Sequence, residues 1–199
     1  MHTYAQREWL ITTFARYNAQ INLSAIRDPQ AIYEKQVLDS LKLTEFVNLA
    51  TLALPRLQER IIADLGTWGG FPLLPLAMSY PDIPFVGIDA RAKKLNAIDA
   101  MAKELGIHNI STLRCRAEDC RERFPIITAR AVAYSTQLIT WLSPLLVPWG
   151  HAFLYKLATT EEETDLKKAC NIHRFDLMDT FSCGEDRIIY HVRKRGAIK

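Results

Sequence analysis

A glycine-rich turn and an acid one strand later have the types and spacing to hold a nucleotide-like ligand. Residues 63–77 read ADLGTWGGFPLLPLA, with Gly66, Gly69 and Gly70 between a short apolar run and a helix-like stretch. Glycine reaches positive φ without steric cost and lets the backbone touch a ligand. A helix opening just after the turn adds free N–H groups and a partial positive charge. Asp89 closes the next apolar run, PFVGID, 19 positions after Gly70. A carboxylate there can accept hydrogen bonds from both hydroxyls of a ribose. Trp68 stands among the glycines, a bulky side chain where such loops favour the smallest.

Two cofactor classes share this logic. A dinucleotide site wants G-x-G-x-x-G, with glycines against a pyrophosphate. The loop here reads G-T-W-G-G-F, a poor match. An S-adenosylmethionine site needs no pyrophosphate cradle, only an acid for the adenosine and a backbone bend around the methionine part. The second class fits better, with a nicotinamide-dependent oxidoreductase as the rival.

The surrounding pattern supplies the frame. IIADL, PFVGID, ISTLRCR, IITARAV, HAFLYK and RIIYHVRK read as strands. Between them PLLPLAMSY, ARAKKLNAIDAMAKELG, STQLITWLSPLL and TEEETDLKKAC read as helices. Such alternation predicts a mostly parallel sheet covered on both faces, with ligands at the carboxyl ends of its strands. Before residue 57 the chain reads as helical. Leu10, Phe14, Tyr17 and Ile21 recur at 4, 3, 4, one helix face, and Asp28-Pro29 is a cap followed by a first-turn proline. The aromatic residues Trp9, Phe14 and Tyr17 are therefore expected in the core of these helices rather than on a base-stacking surface. The expected organisation is a helical N-terminal cap over 1–56 and a Rossmann-like α/β domain over 57–199.

The ordered motifs resemble the small-subunit ribosomal RNA methyltransferase G family, also called glucose-inhibited division protein B. RYNAQINLSAIRDPQAIYEKQVLDSL resembles its N-terminal stretch, and DLGTWGGFPLLPLA its D-x-G-T-G-x-G-F-P-G-x-P-L-A segment. DARAKKLNAIDAMAKELGIHNI, CRAEDC, TARAVA, LYK and DRIIYHVRK resemble later segments in the same order. The resemblance implies a Rossmann-like fold and methyl transfer from S-adenosylmethionine to N7 of a guanine in 16S ribosomal RNA. It implies that Gly66 and Phe71 line the cofactor, that Ala117 and Glu118 meet its adenine side, and that Arg130 closes the pocket. Gly70 and Asp89 join this cofactor set from the turn and the strand end. No side chain is expected to act as a general base, because guanine N7 carries an in-plane lone pair and gives up no proton. Catalysis is then alignment and exclusion of water.

Charge and composition agree with an RNA partner without demanding one. The formal net charge is +3, which suits 16S ribosomal RNA or the small ribosomal subunit as easily as a small anionic substrate. Arg91, Lys93 and Lys94 are expected at the rim beyond Asp89. Arg114, Arg116, Arg121 and Arg123 gather near the third strand's exit, and Arg193, Lys194, Arg195 and Lys199 form a basic tail. Taken singly, each is as readily a solvated surface charge. The four cysteines form no C-x-x-C pair and the five histidines are scattered, so no metal site is expected. MHTYAQREWL lacks a signal-peptide pattern, and no apolar run reaches the roughly 18 residues of a membrane span. A cytoplasmic monomer is the expectation.

Several positions depart from the family pattern. Trp68 and Leu73 replace glycines of the cofactor loop, Gln36 stands for a histidine, and Pro125, Tyr155 and Leu157 differ as well. These departures leave open a divergent relative that docks on RNA without cofactor binding or catalysis. With Gly69 and Gly70 directly after it, Trp68 is expected at the mouth of the pocket rather than inside it.

Overall fold

The N-terminal apolar stripe folds as expected at Phe14 and, partly buried, at Tyr17, whereas Trp9, expected in the core, is exposed. The computed structural model describes residues 4–52, 60–184 and 186–196. Helix α1 (Tyr4–Ile21) buries Leu10, Ile11 and Phe14. Asp28 caps α2 (Pro29–Ile32) by accepting from the Ala31 N–H at 2.8 Å, with Pro29 at the first helical position. The helix then widens into a π-helical turn (Tyr33–Leu38) before α3 (Asp39–Phe46). The boundary expected at 56/57 falls among residues 53–59, outside the described residues.

From residue 60 strands and helices alternate: β1 (Ile62–Leu65), α4 (Leu73–Ser79), β2 (Phe85–Asp89), α5 (Ala92–Glu104), β3 (Ile110–Arg114), β4 (Phe124–Arg130), α6 (Ser135–Leu145), β5 (Leu146–Leu157), α7 (Thr160–His173), β6 (Phe175–Ser182) and β7 (Arg187–Lys194). One sheet results, in the order β3-β2-β1-β4-β5-β7-β6. Its first five strands are parallel, and β7 runs antiparallel to both β5 and β6. All four residues of β1 are buried, as a central strand covered on both faces requires. Ile62 and Ile126 face a core that includes Leu10 and Phe14 of α1, Leu73 and Leu76 of α4, and Ile98 of α5. Ala63 and Ile127 face the opposite core, with Leu138 and Leu142 of α6 and Leu166 of α7. The N-terminal helices therefore share a core with one face of the sheet. Among the described residues no helix is long and apolar enough to cross a membrane.

Two features differ from the sequence reading. Strand β6 carries no clean alternation: a register shift between Leu177 and Asp179 breaks the period at an exposed edge. Strand β5 starts five residues before HAFLYK, through Pro148 and Trp149, where the β4–β5 register also shifts. A bulge defeats a period-2 pattern because it swaps the faces of the residues beyond it.

Phe14 joins the cap to the glycine turn. It is fully buried and meets Phe71 edge-to-face, with ring centroids 4.8 Å apart. Phe14→Ala is expected to destabilise the fold by ~3–5 kcal/mol, the usual cost of emptying such a site. A urea titration reads this as a lower midpoint at unchanged slope. A loss below ~1 kcal/mol would show that the contact does not tie the cap to the turn.

Candidate functional site

The bend after β1 follows from its hydrogen bonds. The Gly66 and Thr67 N–H groups both donate to the Ile88 carbonyl, at 2.8 and 3.0 Å, which draws the turn against the end of β2. Gly66 lies at φ +70, and a Cβ built there would strike Val132 Cγ2 at 2.8 Å. Its backbone lines a cleft of about 350 Å³ at the carboxyl ends of the parallel strands, together with Asp89, Ala117 and Glu118. Asp89 is already oriented by the chain. Its Oδ1 accepts the Arg91 N–H at 2.8 Å and its Oδ2 accepts the Trp68 N–H at 3.3 Å. Each carboxylate oxygen keeps acceptor capacity for a hydroxyl.

The remaining expected cofactor residues lie elsewhere. Gly70, at φ +91, is buried, and a Cβ there would meet Leu74 Cδ1 at 2.6 Å. It lets the loop pack on α4 rather than touch the cleft. Phe71 and Arg130 line a second cleft of about 430 Å³, with Asn22, Ser24 and Gln36 from the N-terminal segment. The Arg130 guanidinium is held by that segment, in an ion pair with Asp39 at 3.1 Å and by donation to the Lys35 carbonyl at 2.5 Å. Burial lowers its pKa and Asp39 works against that shift. The expected set thus divides into Gly66, Asp89, Ala117 and Glu118 on one cleft, Phe71 and Arg130 on its neighbour, and Gly70 behind both. The π-helical turn brings Lys35 and Gln36 to Arg130, and helical periodicity alone does not reveal such a turn.

Trp68 stands at the mouth, as its neighbouring glycines suggested. It lies at φ +48, is 45% exposed, and lines both clefts. The Lys94 Nζ sits 3.6 Å from its ring centroid and the Arg91 guanidinium 5.9 Å. Lys94 is therefore not a rim charge. It is buried, and its burial lowers the ammonium pKa while Asp89 raises it. The signal was present in the sequence: Lys94 shares the 94, 98, 101 stripe with Ile98 and Met101, the apolar face of a helix. Arg91, Lys93, Arg114, Arg116, Arg121 and Arg123 are exposed. The basic tail is folded into the sheet. Lys194 donates to the Ser143 and Leu146 carbonyls, Arg193 and Arg195 pair with Asp176, and Lys199 lies outside the described residues.

A mostly parallel sheet of this order, its β7 antiparallel, with a glycine bend ending the first strand and an acid ending the second, is the fold of the Rossmann-like methyltransferases dependent on S-adenosylmethionine. Its shape is shared by a SAM-dependent methyltransferase from Aquifex aeolicus, with a TM-score of 0.66 at 13% identity over 90% of this chain and 97% of that one. The family model for rRNA small subunit methyltransferase G matches residues 4–190. The Ribosomal RNA small subunit methyltransferase G of Desulfitobacterium hafniense is 33% identical over 89% of this chain and 75% of that protein. That of Clostridium novyi is 32% identical over 78% of this chain and 64% of its own length. The chain belongs to the rRNA small subunit methyltransferase G family.

Below the bend, Asp64 is buried at 1% exposure and accepts the Thr128 hydroxyl at 2.8 Å, while its Oδ2 has no hydrogen-bond partner among the described residues. Burial pushes its carboxyl up to about 7, against the pull of Thr128. The folded chain then holds this proton to higher pH than the unfolded chain, whose Asp titrates near ~4. This term therefore costs stability as pH rises from ~4 to the folded value, with a slope approaching ~1.4 kcal/mol per pH unit. Asp64→Asn keeps the acceptor for Thr128 and removes the titration. Its stability relative to wild type is expected to climb between pH 4 and 7 and level off above, read by urea titrations across pH. A difference constant across that range would contradict a raised Asp64 pKa.

Proposed function

We propose that this chain methylates N7 of a guanine in 16S ribosomal RNA, using S-adenosylmethionine held in the first cleft. One observation carries the proposal: the Gly66 bend and the Asp89 carboxylate lie on the same cleft at the ends of adjacent parallel strands. The residues fit the group. At Gly66 a side chain would need a rare backbone conformation and would collide with Val132. Asp89 offers two oriented oxygens to the ribose hydroxyls. Ala117 and Glu118 follow β3 and flank the adenine side. S-adenosylmethionine, when bound, supplies a methyl carbon on a positively charged sulfur. Guanine N7 carries an in-plane lone pair and no proton, so transfer to it would ask no side chain of this chain to act as a base.

The protein's part is to orient, to exclude water and to hold the RNA. Arg130 lines the second cleft and pairs with Asp39, so the N-terminal helices and the sheet form one site. The exposed Arg91 and Arg116 line the first cleft and suit phosphate contacts, as do the exposed Lys93 and Arg114 on the flanking elements. The fitting partner is small-subunit RNA or the small subunit itself, met by a monomer in the cytoplasm. Free thiols at all four cysteines suit that compartment.

Asp89→Ala is expected to weaken S-adenosylmethionine binding by ~1.5–3 kcal/mol, the cost of losing hydrogen bonds to a charged acceptor. Calorimetry measures it directly, and unchanged affinity in a folded variant would remove Asp89 from the site. Incubated with methyl-labelled S-adenosylmethionine, the wild type is expected to label small-subunit RNA that lacks the modification. The label should sit at a guanine that becomes sensitive to strand scission, and labelling should fall with added salt. Absence of label, or label at another atom, would overturn the N7 assignment.

A further inference from the structure

The two clefts share only Trp68, Arg91 and Lys94 among their lining residues. A transfer reaction needs donor and acceptor held side by side with a narrow passage between them. If the first cleft holds the methyl donor, its neighbour is the place for the acceptor. We infer that the second cleft seats a guanine base extruded from the RNA, with the Trp68 indole as its stacking face and Gln36 reading its far edge. This inference rests on the function proposed above.

Trp68 carries an unusual burden for a surface residue. A bulky side chain at φ +48 is in strained backbone, a cost of ~1–3 kcal/mol that surrounding structure must offset. Core burial does not offset it, since the side chain is 45% exposed. The Lys94 ammonium holds the ring instead, 3.6 Å from the centroid. Lys94 is 8% exposed, lines both clefts, and makes no ion pair among the described residues. The pair thus presents a flat aromatic surface backed by positive charge at the passage. Such a surface accepts the face of an electron-rich base, as single-stranded nucleic acid sites do.

The far wall reads the edge. A guanine whose N7 points toward the first cleft directs its 2-amino group broadly away from that cleft. That side of the second cleft comes from the N-terminal segment, none of which lines the first cleft. Gln36 is held there by donating through Nε2 to Ser24 Oγ at 3.2 Å. Gln36 lines the second cleft, and with Nε2 engaged its amide oxygen remains an acceptor, suited to the guanine 2-amino group, a donor that adenine lacks.

The test uses the full chain with unmethylated small ribosomal subunits at saturating S-adenosylmethionine. Trp68→Gly is expected to lower kcat/KM for the subunits by ~10- to 100-fold, the range for a lost base–aromatic stack. Trp68→Phe should recover most of that loss. Gln36→Leu, which removes the acceptor, should lower kcat/KM by at least ~10-fold, while Gln36→Glu, which keeps it, should retain more activity. Cofactor affinity measured alongside by calorimetry should stay within ~10-fold for all four variants. Transfer by Trp68→Gly at or above the wild-type rate would overturn the stacking role and make Trp68 an obstruction. Equal rates for Gln36→Leu and wild type would overturn the edge contact. Wild-type protein that binds no S-adenosylmethionine would bring the inference down through the reading beneath it, a failure visible in the calorimetry before any RNA is added.

Discussion

The site depends on one carboxylate placed where two neighbouring turns meet. Asp89 closes β2 and receives backbone N–H groups from both sides, Trp68 of the glycine turn and Arg91 of the helix that follows. The Ile88 carbonyl beside it receives Gly66 and Thr67. Four backbone donors thus converge on two consecutive residues at the strand end. They fix the bend, aim the carboxylate and set the first turn of α5, from which Lys94 reaches the indole. A backbone so tied tolerates change in the side chain at position 68 far better than change at Gly66 or Asp89.

The N-terminal helices complete the site rather than decorate it. Phe14 packs on Phe71, so α1 bears on the same turn from below. Arg130, at the end of β4, reaches across to Asp39 and to the carbonyls of the π-helical turn. Tyr155 on β5 donates to the Ser40 carbonyl at 2.8 Å. Apart from the exposed Arg130–Lys35 contact, these contacts are partly or fully buried, where hydrogen bonds to charged groups contribute more than exposed ones. They hold the wall that carries Gln36 and Ser24 at a fixed distance from the strand ends.

Much of this was legible in the sequence, for physical reasons that also explain what was not. Strand, turn and acid recur at intervals set by backbone geometry, so Gly66 and Asp89 could be placed before any coordinates. The apolar stripe of α1 and the cap at Asp28 are local patterns and folded as read, with Trp9 left on the surface beside the stripe. Gly70 was read as a cofactor residue and is found packed on Leu74, because a glycine required for packing looks the same in sequence as one required for a ligand. Phe71 and Arg130 were also expected at the cofactor, and no local pattern showed that Phe71 packs on Phe14 or that Arg130 pairs with Asp39, 91 residues earlier in the chain. Lys94 was taken for a surface charge although its stripe position marked it as buried. Strand β6 escaped because an edge bulge erases the alternation that reveals strands.

Trp68 decides whether the family's cofactor site persists in this chain. Its backbone adopts the left-handed region that glycine favours, and its side chain swings to the boundary between the clefts instead of filling the first one. The opening beside Gly66 and Asp89 therefore remains. Calorimetric titration of the wild type and of Trp68→Gly with S-adenosylmethionine tests this most directly. Saturable one-site binding to the wild type, with Trp68→Gly within ~10-fold of it, is the expected result. A wild type that takes up no cofactor, beside a Trp68→Gly variant that binds it, would show the tryptophan to be a plug and the chain to be an RNA-binding relative without the reaction.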